Sequence, residues 1–290
     1  ESGIKVELVP DMVREINPIK DMKAVLYLYR IFKKEKFDIV HCHSSKAGIL
    51  GRTAAKLARI NKIIYTAHGF VFNEPMSSLK RLIYVNIERI GSTFGNKIIA
   101  VSRRDCDSAI EKNITNEKKL IYIPNAIPEI DKDSLGSVNE LKDELQIQEY
   151  EFVIGTISNF YETKGHVYLI EAVKKLYDEG YRFKTIFAGS GPKMQEMMDL
   201  STNYNDIVFL GYREDNYQIM SLLDLFVLPS IKEGMPYVIL EAMSLGKPVL
   251  CTKVGALSDM ITDGENGYIV EPGNSALIYD KIKWILENKS

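Results

Sequence analysis

Residues Asp224–Gly246 read DLFVLPSIKEGMPYVILEAMSLG, and the order of residue types in this stretch decides the fold. Leu225–Leu228 is an unbroken apolar run stopped by Pro229 and Ser230. That is the pattern of a strand buried on both faces of a parallel sheet. A polar loop punctuated by Gly234 and Pro236 follows, and from Val238 onward Ile239, Ala242, Met243 and Leu245 recur at helical spacing up to Gly246. A strand, a glycine-containing loop and a helix N-terminus in succession direct backbone N–H groups at a place suited to an anion. Two carboxylates frame it, Glu233 in the loop and Glu241 in the helix, with seven residues between them. Carboxylates accept hydrogen bonds from hydroxyls, so a pair at this spacing can hold two sugar rings of one ligand. A solvated Glu233 and an ordinary surface Glu241 are the alternative that the pair alone leaves open.

The same alternation runs outward in both directions. Toward the N-terminus the apolar runs predict strands at Ile4–Leu8, Phe37–Cys42, Ile63–Ala67, Lys97–Val101 and Lys119–Ile123. Helical patterns lie between them: Pro18 to about Lys36, with Met22, Val25, Leu26, Tyr29 and Phe32 on one face, then Ala47–Ile60, Ser77–Phe94 and Arg104–Lys112. Pro124-Asn125-Ala126-Ile127-Pro128 breaks the pattern, and a domain boundary is placed between residues 128 and 129. A short helix, Val138–Leu145, is predicted next. The alternation then restarts with strands at Phe152–Ile157, Phe183–Ala188 and Ile207–Leu210, and helices at His166–Asp178, Lys193–Leu200 and Asn216–Leu222. Beyond Gly246 come a strand at Pro248–Thr252, a helix at Leu257–Thr262, a strand at Gly267–Val270 and a helix from Ser275. Strands alternating with helices imply two successive α/β domains with doubly wound parallel sheets.

Composition bounds the class. At 290 residues the chain is long for one domain and comfortable for two. Its 46% apolar and 26% charged residues are those of an ordinary globular protein, and no apolar run approaches the roughly 18–20 residues that span a bilayer. The opening Glu1-Ser2-Gly3-Ile4-Lys5 has neither an initiator Met nor a signal-peptide pattern, so a piece of a longer protein is expected. Three cysteines, Cys42, Cys106 and Cys251, form no disulfide framework, which fits a reducing, cytoplasmic compartment. The net charge of −2 is unevenly placed: residues 1–128 carry 22 Lys/Arg against 13 Asp/Glu, and residues 129–290 carry 15 against 26. A basic half favours anionic lipid or a phosphate-bearing substrate. The absence of a GxGxxG after any predicted strand disfavours a dinucleotide oxidoreductase.

Glu233-Gly234-Met235-Pro236, the second carboxylate Glu241 and the run Ala242-Met243-Ser244-Leu245-Gly246-Lys247-Pro248-Val249 resemble the donor-sugar motif of retaining GT-B glycosyltransferases, the family known as glycosyl transferases group 1, or family 4. The resemblance extends over nearly the whole chain. It implies two Rossmann-like domains facing a cleft, the N-terminal one (1–128) on the acceptor side and the C-terminal one (129–290) binding a nucleotide sugar. It also implies that a first strand with a Gly-rich loop, and a C-terminal helix that crosses back, lie outside the sequence.

Residue by residue, the resemblance places donor-sugar hydroxyls on Glu233 and ribose hydroxyls on Glu241, with the backbone around Gly234 and Met235 at the leaving diphosphate and Pro236 also on the donor-binding side. After the Phe152–Ile157 strand, the family's Lys before Gly falls on Lys164 and its Arg on Asn159, a departure that brings no charge. Arg213, after the Ile207–Leu210 strand, falls in the loop that meets the nucleotide base. In the first domain His43, Ser44 and Lys46 leave a strand end on the acceptor side, and His68 falls where the family keeps a His near the reacting carbon. Each has a plain alternative, a solvated side chain or a packed loop His. Gly189-Ser190-Gly191-Pro192 reads as a tight strand-to-helix turn.

Strand alternation puts His41 and His43 on one face and Cys42 on the other. Only Asp38 accompanies the two histidines, so a metal site there is disfavoured. Asp105-Cys106-Asp107 and Asp131-Lys132-Asp133 have the spacing of a metal-binding DxD, but a GT-B enzyme neutralises the diphosphate with Lys164 and helix N-terminal amides, so no metal or other cofactor is expected.

The expected activity is transfer of a hexose-type residue, with retained configuration, from a UDP-linked donor to a glycan or lipid-linked glycan in polysaccharide or cell-envelope synthesis. A nucleotide-sugar 2-epimerase or phosphorylase of GT-B fold and a non-catalytic nucleotide-sugar-binding subunit are the alternatives. Nucleic acid is not an expected partner. The basic face of the Pro18–Lys36 helix, and Lys80, Arg81 and Arg89 on the next but one, lead to an expected peripheral contact with an anionic membrane.

Overall fold

Apolar runs and helical patterns become strands and helices nearly where the sequence places them. The computed structural model describes residues 3–13, 15–132, 135–148 and 151–288. The chain divides into two compact units, Glu1–Pro124 and Asn125–Ser290.

The first unit is a four-stranded parallel sheet of β1 (Ile39–His43), β2 (Lys62–Ala67), β3 (Lys97–Ala100) and β4 (Leu120–Tyr122), paired in sequence order. Its helices are α1 (Pro18–Glu35), α2 (Ser45–Leu57), α3 (Ser78–Phe94) and α4 (Arg103–Glu111). Asn17, Ser77 and Ser102 cap α1, α3 and α4 by accepting a backbone N–H three residues on. Burial alternates along β1, with Val40 and Cys42 inside and His41 and His43 outside.

Arg52 of α2 is wholly buried. Its Nη2 donates to Glu88 Oε2 of α3 at 2.9 Å, and its guanidinium lies 3.9 Å over the ring of Tyr65 on β2. Gly48 and Gly91 make this possible: a Cβ at either would stand 2.5 Å from the Tyr65 ring or 2.8 Å from the Arg52 guanidinium.

Two expectations fail here. Residues 4–8 pair with no strand among the described residues, and Ile4, Val6 and Leu8 are exposed. An alternating apolar pattern makes a strand only where a neighbour takes up its backbone groups. On α1 the predicted inward face is partly wrong: Met22 and Leu26 are exposed, and Ala24 is the residue that is fully covered. Helix–helix packing against α2 chose the small side chain that allows close approach.

The second unit holds α5 (Val138–Glu144), β5 (Val153–Ile157), α6 (His166–Asp178), β6 (Lys184–Ala188), α7 (Met194–Leu200), β7 (Ile207–Gly211), α8 (Asn216–Leu222), β8 (Leu225–Leu228), α9 (Tyr237–Ser244), β9 (Val249–Thr252), α10 (Leu257–Met260), β10 (Tyr268–Val270) and α11 (Ser275–Glu287). The six strands are parallel, in the order β10-β9-β8-β5-β6-β7. Both faces of the sheet are packed. Along β8, Leu225 and Val227 join one apolar cluster, and Phe226 and Leu228 join the other. The buried Cys42 and Cys251 are small fillers, and burial pushes their thiols up to about 11 and about 12. Strand order reverses between β5 and β8. Open α/β sheets bind ligands beyond the C-terminal strand ends at such a switch point, and here the loops concerned are 158–165 and 229–236.

Candidate functional site

The two loops at the switch point are tied to each other. Ile231 N–H donates to Thr163 O at 2.9 Å, and Gly165, at φ +66°, sits so close to Pro229 that a Cβ would lie 2.2 Å from its carbonyl oxygen. This brings together two residues 69 positions apart: Lys164 Nζ donates to Glu233 Oε1 at 2.7 Å. The side chains are only 22% and 9% exposed, so solvent screens the pair weakly. Ser230, fully buried, donates from Oγ to the same Oε1 at 2.6 Å, and Thr252 Oγ1 donates to the Ser230 carbonyl. Oε1 of Glu233 is therefore held from inside by Lys164 and Ser230.

Further contacts fix the backbone around Glu233. Ala256 N–H donates to Gly234 O at 2.7 Å, and Gly255, at φ +55°, packs where a Cβ would stand 2.3 Å from that oxygen. Asn125 donates through Nδ2 to Met235 O at 2.8 Å and through its backbone N–H to the Met235 sulfur. Pro236 and Gly234 are buried, and Pro236 leads directly into α9.

Glu241 lies on α9, half-buried, with its carboxyl raised above the usual range by desolvation, a hydrogen bond from Tyr217 offsetting part of that. Asn159 is exposed. Arg213 is engaged elsewhere: Nε and Nη2 donate to Asp215, and Nη1 donates to Glu144 at 2.7 Å. The Gly189–Pro192 turn serves as packing, as its sequence suggests. Phe160 N–H donates to Ser190 O, and a Cβ on Gly189 would stand 2.0 Å from Ser158 O. His166, the first residue of α6, is buried. It shares a 2.8 Å hydrogen bond with Ser158 Oγ and stacks on Phe160 at 4.3 Å between ring centroids. Burial, and secondarily the Lys164 charge, bring its imidazole down to about 4.

In the first unit the parallel register sets His43 opposite Thr66, two residues before His68. His41 shares a 2.8 Å hydrogen bond with Thr66 Oγ1, and His43 Nδ1 lies 3.0 Å from His68 Nε2 in a hydrogen bond. The His41 and His43 rings are 4.2 Å apart, and the His43 and His68 ring centroids are 5.3 Å apart with 24° between the planes. Burial lowers the His68 imidazole, and the neighbouring His43 charge lowers it further. Ser44 turns β1 into α2 at φ 61°, ψ 162°, a conformation unusual for a side-chain-bearing residue, and its hydroxyl does not cap the helix. Lys46 is spent on Asp21 at 2.7 Å and on the Glu15 carbonyl.

The first DxD is structural. Asp105 is buried, receives Ser102 Oγ–H at 2.7 Å, and holds the loop after His68 by accepting from Phe70 N–H and Asn73 Nδ2. In the second, Asp133 lies outside the described residues. Sequence reasoning missed Ser230, Tyr217 and Thr66 as supports. Ser230 is the first residue past β8 whose side chain can donate, a signal that was readable. Tyr217 carried none.

Comparison with known proteins agrees with this fold. The family description Glycosyl transferases group 1 matches residues 137–290, and Glycosyltransferase Family 4 matches residues 3–129. The UDP-Gal:alpha-D-GlcNAc-diphosphoundecaprenol alpha-1,3-galactosyltransferase of Escherichia coli is 32% identical over 287 residues, covering 93% of this chain and 72% of its own length. The capsular polysaccharide biosynthesis glycosyltransferase CapM of Staphylococcus aureus is 29% identical over 289 residues, with 96% and 75% covered. Among solved structures, Anabaena HepE in complex with UDP-glucose superposes with a TM-score of 0.79 at 24% identity, covering 94% of this chain and 75% of that one. Two parallel-sheet α/β units of this kind define the GT-B class of glycosyltransferases. Within that class the chain belongs to the glycosyl transferases group 1 family.

Proposed function

We propose that this glycosyltransferase moves a hexose-type residue, with retention of configuration, from a UDP-linked donor to a lipid-linked glycan in polysaccharide or cell-envelope synthesis. The observation that carries the reading is the convergence of Lys164 and Glu233 at the β5/β8 switch point, with Glu241 on the following helix. A cation for a diphosphate beside an anchored carboxylate for a sugar is what a nucleotide-sugar site needs. Relatives support the finer parts. The E. coli relative takes UDP-Gal and forms an alpha-1,3 linkage on a diphosphoundecaprenol-linked sugar, and HepE holds UDP-glucose. An alpha linkage is what retaining transfer leaves from an alpha-linked donor.

In this reading, binding of the donor diphosphate draws Lys164 off Glu233, which then turns Oε2 toward the sugar and stabilises positive charge developing there. The leaving diphosphate takes the acceptor proton on the same face. His68 orients a sugar or acceptor hydroxyl. Arg213, already neutralised by Asp215 and Glu144, serves the base-side loop as a brace. No metal takes part. The exposed stripe of α3 rests on an anionic membrane surface, where a lipid-linked acceptor resides.

The test is release of nucleoside diphosphate from a panel of UDP-, GDP- and ADP-linked sugars, with and without a prenyl-diphosphate-linked sugar, in the presence of chelator. Transfer from a UDP-sugar with chelator present is the expected result. Sugar interconversion without acceptor would favour an epimerase, and donor binding without turnover a non-catalytic subunit. Glu241→Ala is expected to weaken UDP binding in calorimetry by about 1.5–3 kcal/mol, the range for a hydrogen bond to a charged group. Unchanged affinity in the folded variant removes Glu241 from the ribose.

A further inference from the structure

His41, His43, Thr66 and His68 share one face at the C-terminal ends of β1 and β2, because strand residues two apart point the same way and the register sets His43 opposite Thr66. His41 is anchored on the Thr66 hydroxyl at 2.8 Å and its ring lies against that of His43. His43 in turn meets His68 edge to edge through Nδ1 and Nε2 at 3.0 Å. Both of these imidazoles are exposed. Such a contact needs one proton between the two nitrogens. If it sits on His43 Nδ1, then His68 Nε2 is bare and His68 carries its proton on Nδ1. If it sits on His68 Nε2, then His43 Nδ1 is bare and His43 carries its proton on Nε2. In the neutral pair, therefore, both rings are Nδ1–H or both are Nε2–H. Opposite tautomers would set two donors or two bare nitrogens face to face.

We propose that His43 is a positioning residue for His68: the shared N–H···N bond locks the two rings into matched tautomers, with His41 and Thr66 bracing His43, so that His68 keeps one tautomer and its outward Nδ1 meets a ligand hydroxyl in one fixed role. A sugar hydroxyl both donates and accepts, so it can meet His68 Nδ1 in either state, whereas an anion needs a donor there. The lowered proton affinity of His68, set by burial first and the His43 charge second, favours the neutral pair in which this match holds. The role in transfer rests on the function proposed above, but the tautomer match does not.

The chain has four histidines, which makes ring nitrogens resolvable one by one. Long-range proton–nitrogen correlation spectra of the 15N-histidine-labelled protein at neutral pH are expected to show His43 and His68 in the same tautomer. Opposite tautomers, or free averaging in both rings, overturn the proposal whatever the enzyme's substrate. Among variants, Asn places a donor near the position of Nδ1, whereas Gln reaches toward Nε2 and Phe keeps only an aromatic ring. His43→Asn is expected to keep His68 in one tautomer and to retain transfer within about threefold. His43→Gln and His43→Phe are expected to release the His68 tautomer and to lower kcat/KM at least about tenfold, with His43→Phe/His68→Phe little worse than His68→Phe alone. Additive losses in the double variant, or equal losses for Asn and Phe, would show that His43 acts independently of His68.

Discussion

At the scale of single residues, His166 shows how a support can set the pH range of a site without touching substrate. Its ring is buried against Phe160 and bonded to Ser158 at the start of α6, directly after the Lys164–Gly165 turn. Burial holds its folded-state value at about 4, against about 6.5 for an unfolded chain. Between these values the unfolded state binds the extra proton and the folded state does not. The stabilisation is thus complete above about pH 6.5 and is lost as pH falls toward 4, by up to about 3 kcal/mol. Trp284, the single tryptophan, lies on α11 and reports unfolding of the second unit alone. Urea titrations followed by its fluorescence are expected to show stability falling between pH 6.5 and 4 in the native chain, and a shallower fall in His166→Gln. Equal slopes would mean that His166 is free to take its proton in the folded state.

At the scale of elements, the site depends on loops gripping one another, and this is where the sequence is least readable. The β/α alternation was legible because strands such as Leu225–Leu228, covered on both faces, must be apolar throughout. The helix starts fell within a residue or so of their predicted places, where Asn17, Ser77, Ser102 and Asn274 prove to be the capping side chains. Glu233, Glu241 and Lys164 were legible as a resemblance. Their arrangement was not, since nothing local to Lys164 says that Glu233 will lie 2.7 Å away across a strand crossover. Nor does Val254-Gly255-Ala256 announce that it clamps the Glu233 loop. The clamp has a test. Gly255 has both a left-handed backbone and no room for a Cβ, because the obstacles are the backbone oxygens of Gly234 and Glu233. Gly255→Ala must move that loop and is expected to cost about 1–3 kcal/mol locally. Transfer should drop at least about tenfold, and the Ala256 amide, bonded to Gly234 O in the native chain, should exchange faster with solvent. Native exchange protection together with native activity would show that the loop is held by other means.

At the scale of the whole molecule, charge and exposed apolar surface point to where the enzyme works. The first 128 residues carry an excess of nine positive charges, and the remainder an excess of eleven negative ones. No helix among the described residues is long and apolar enough to cross a membrane. On α3, however, Leu79, Leu82, Ile83 and Ile90 are exposed at 70%, 55%, 49% and 57%, while Val85, Glu88, Gly91 and Ser92 face inward. The exposed four fall on one helical stripe with Lys80 at its side, while Arg81 lies on the other side of the helix and donates to the Phe72 and Glu74 carbonyls. The opposite arrangement, with the apolar face in the core and charges in water, would have made α3 an ordinary sheet cover. An amphipathic helix of this kind lies flat in a lipid interface, where each nearby Lys or Arg adds about 1 kcal/mol on an anionic surface. The protein is expected to co-sediment with vesicles containing phosphatidylglycerol and not with purely phosphatidylcholine vesicles, and to be released at high salt. Leu82→Glu/Ile83→Glu, on side chains that contribute to no core cluster, should reduce vesicle binding at least about tenfold while leaving UDP affinity unchanged. Binding to neither vesicle by folded protein would assign the stripe to contact with another protein chain and leave a water-soluble acceptor as the substrate to seek.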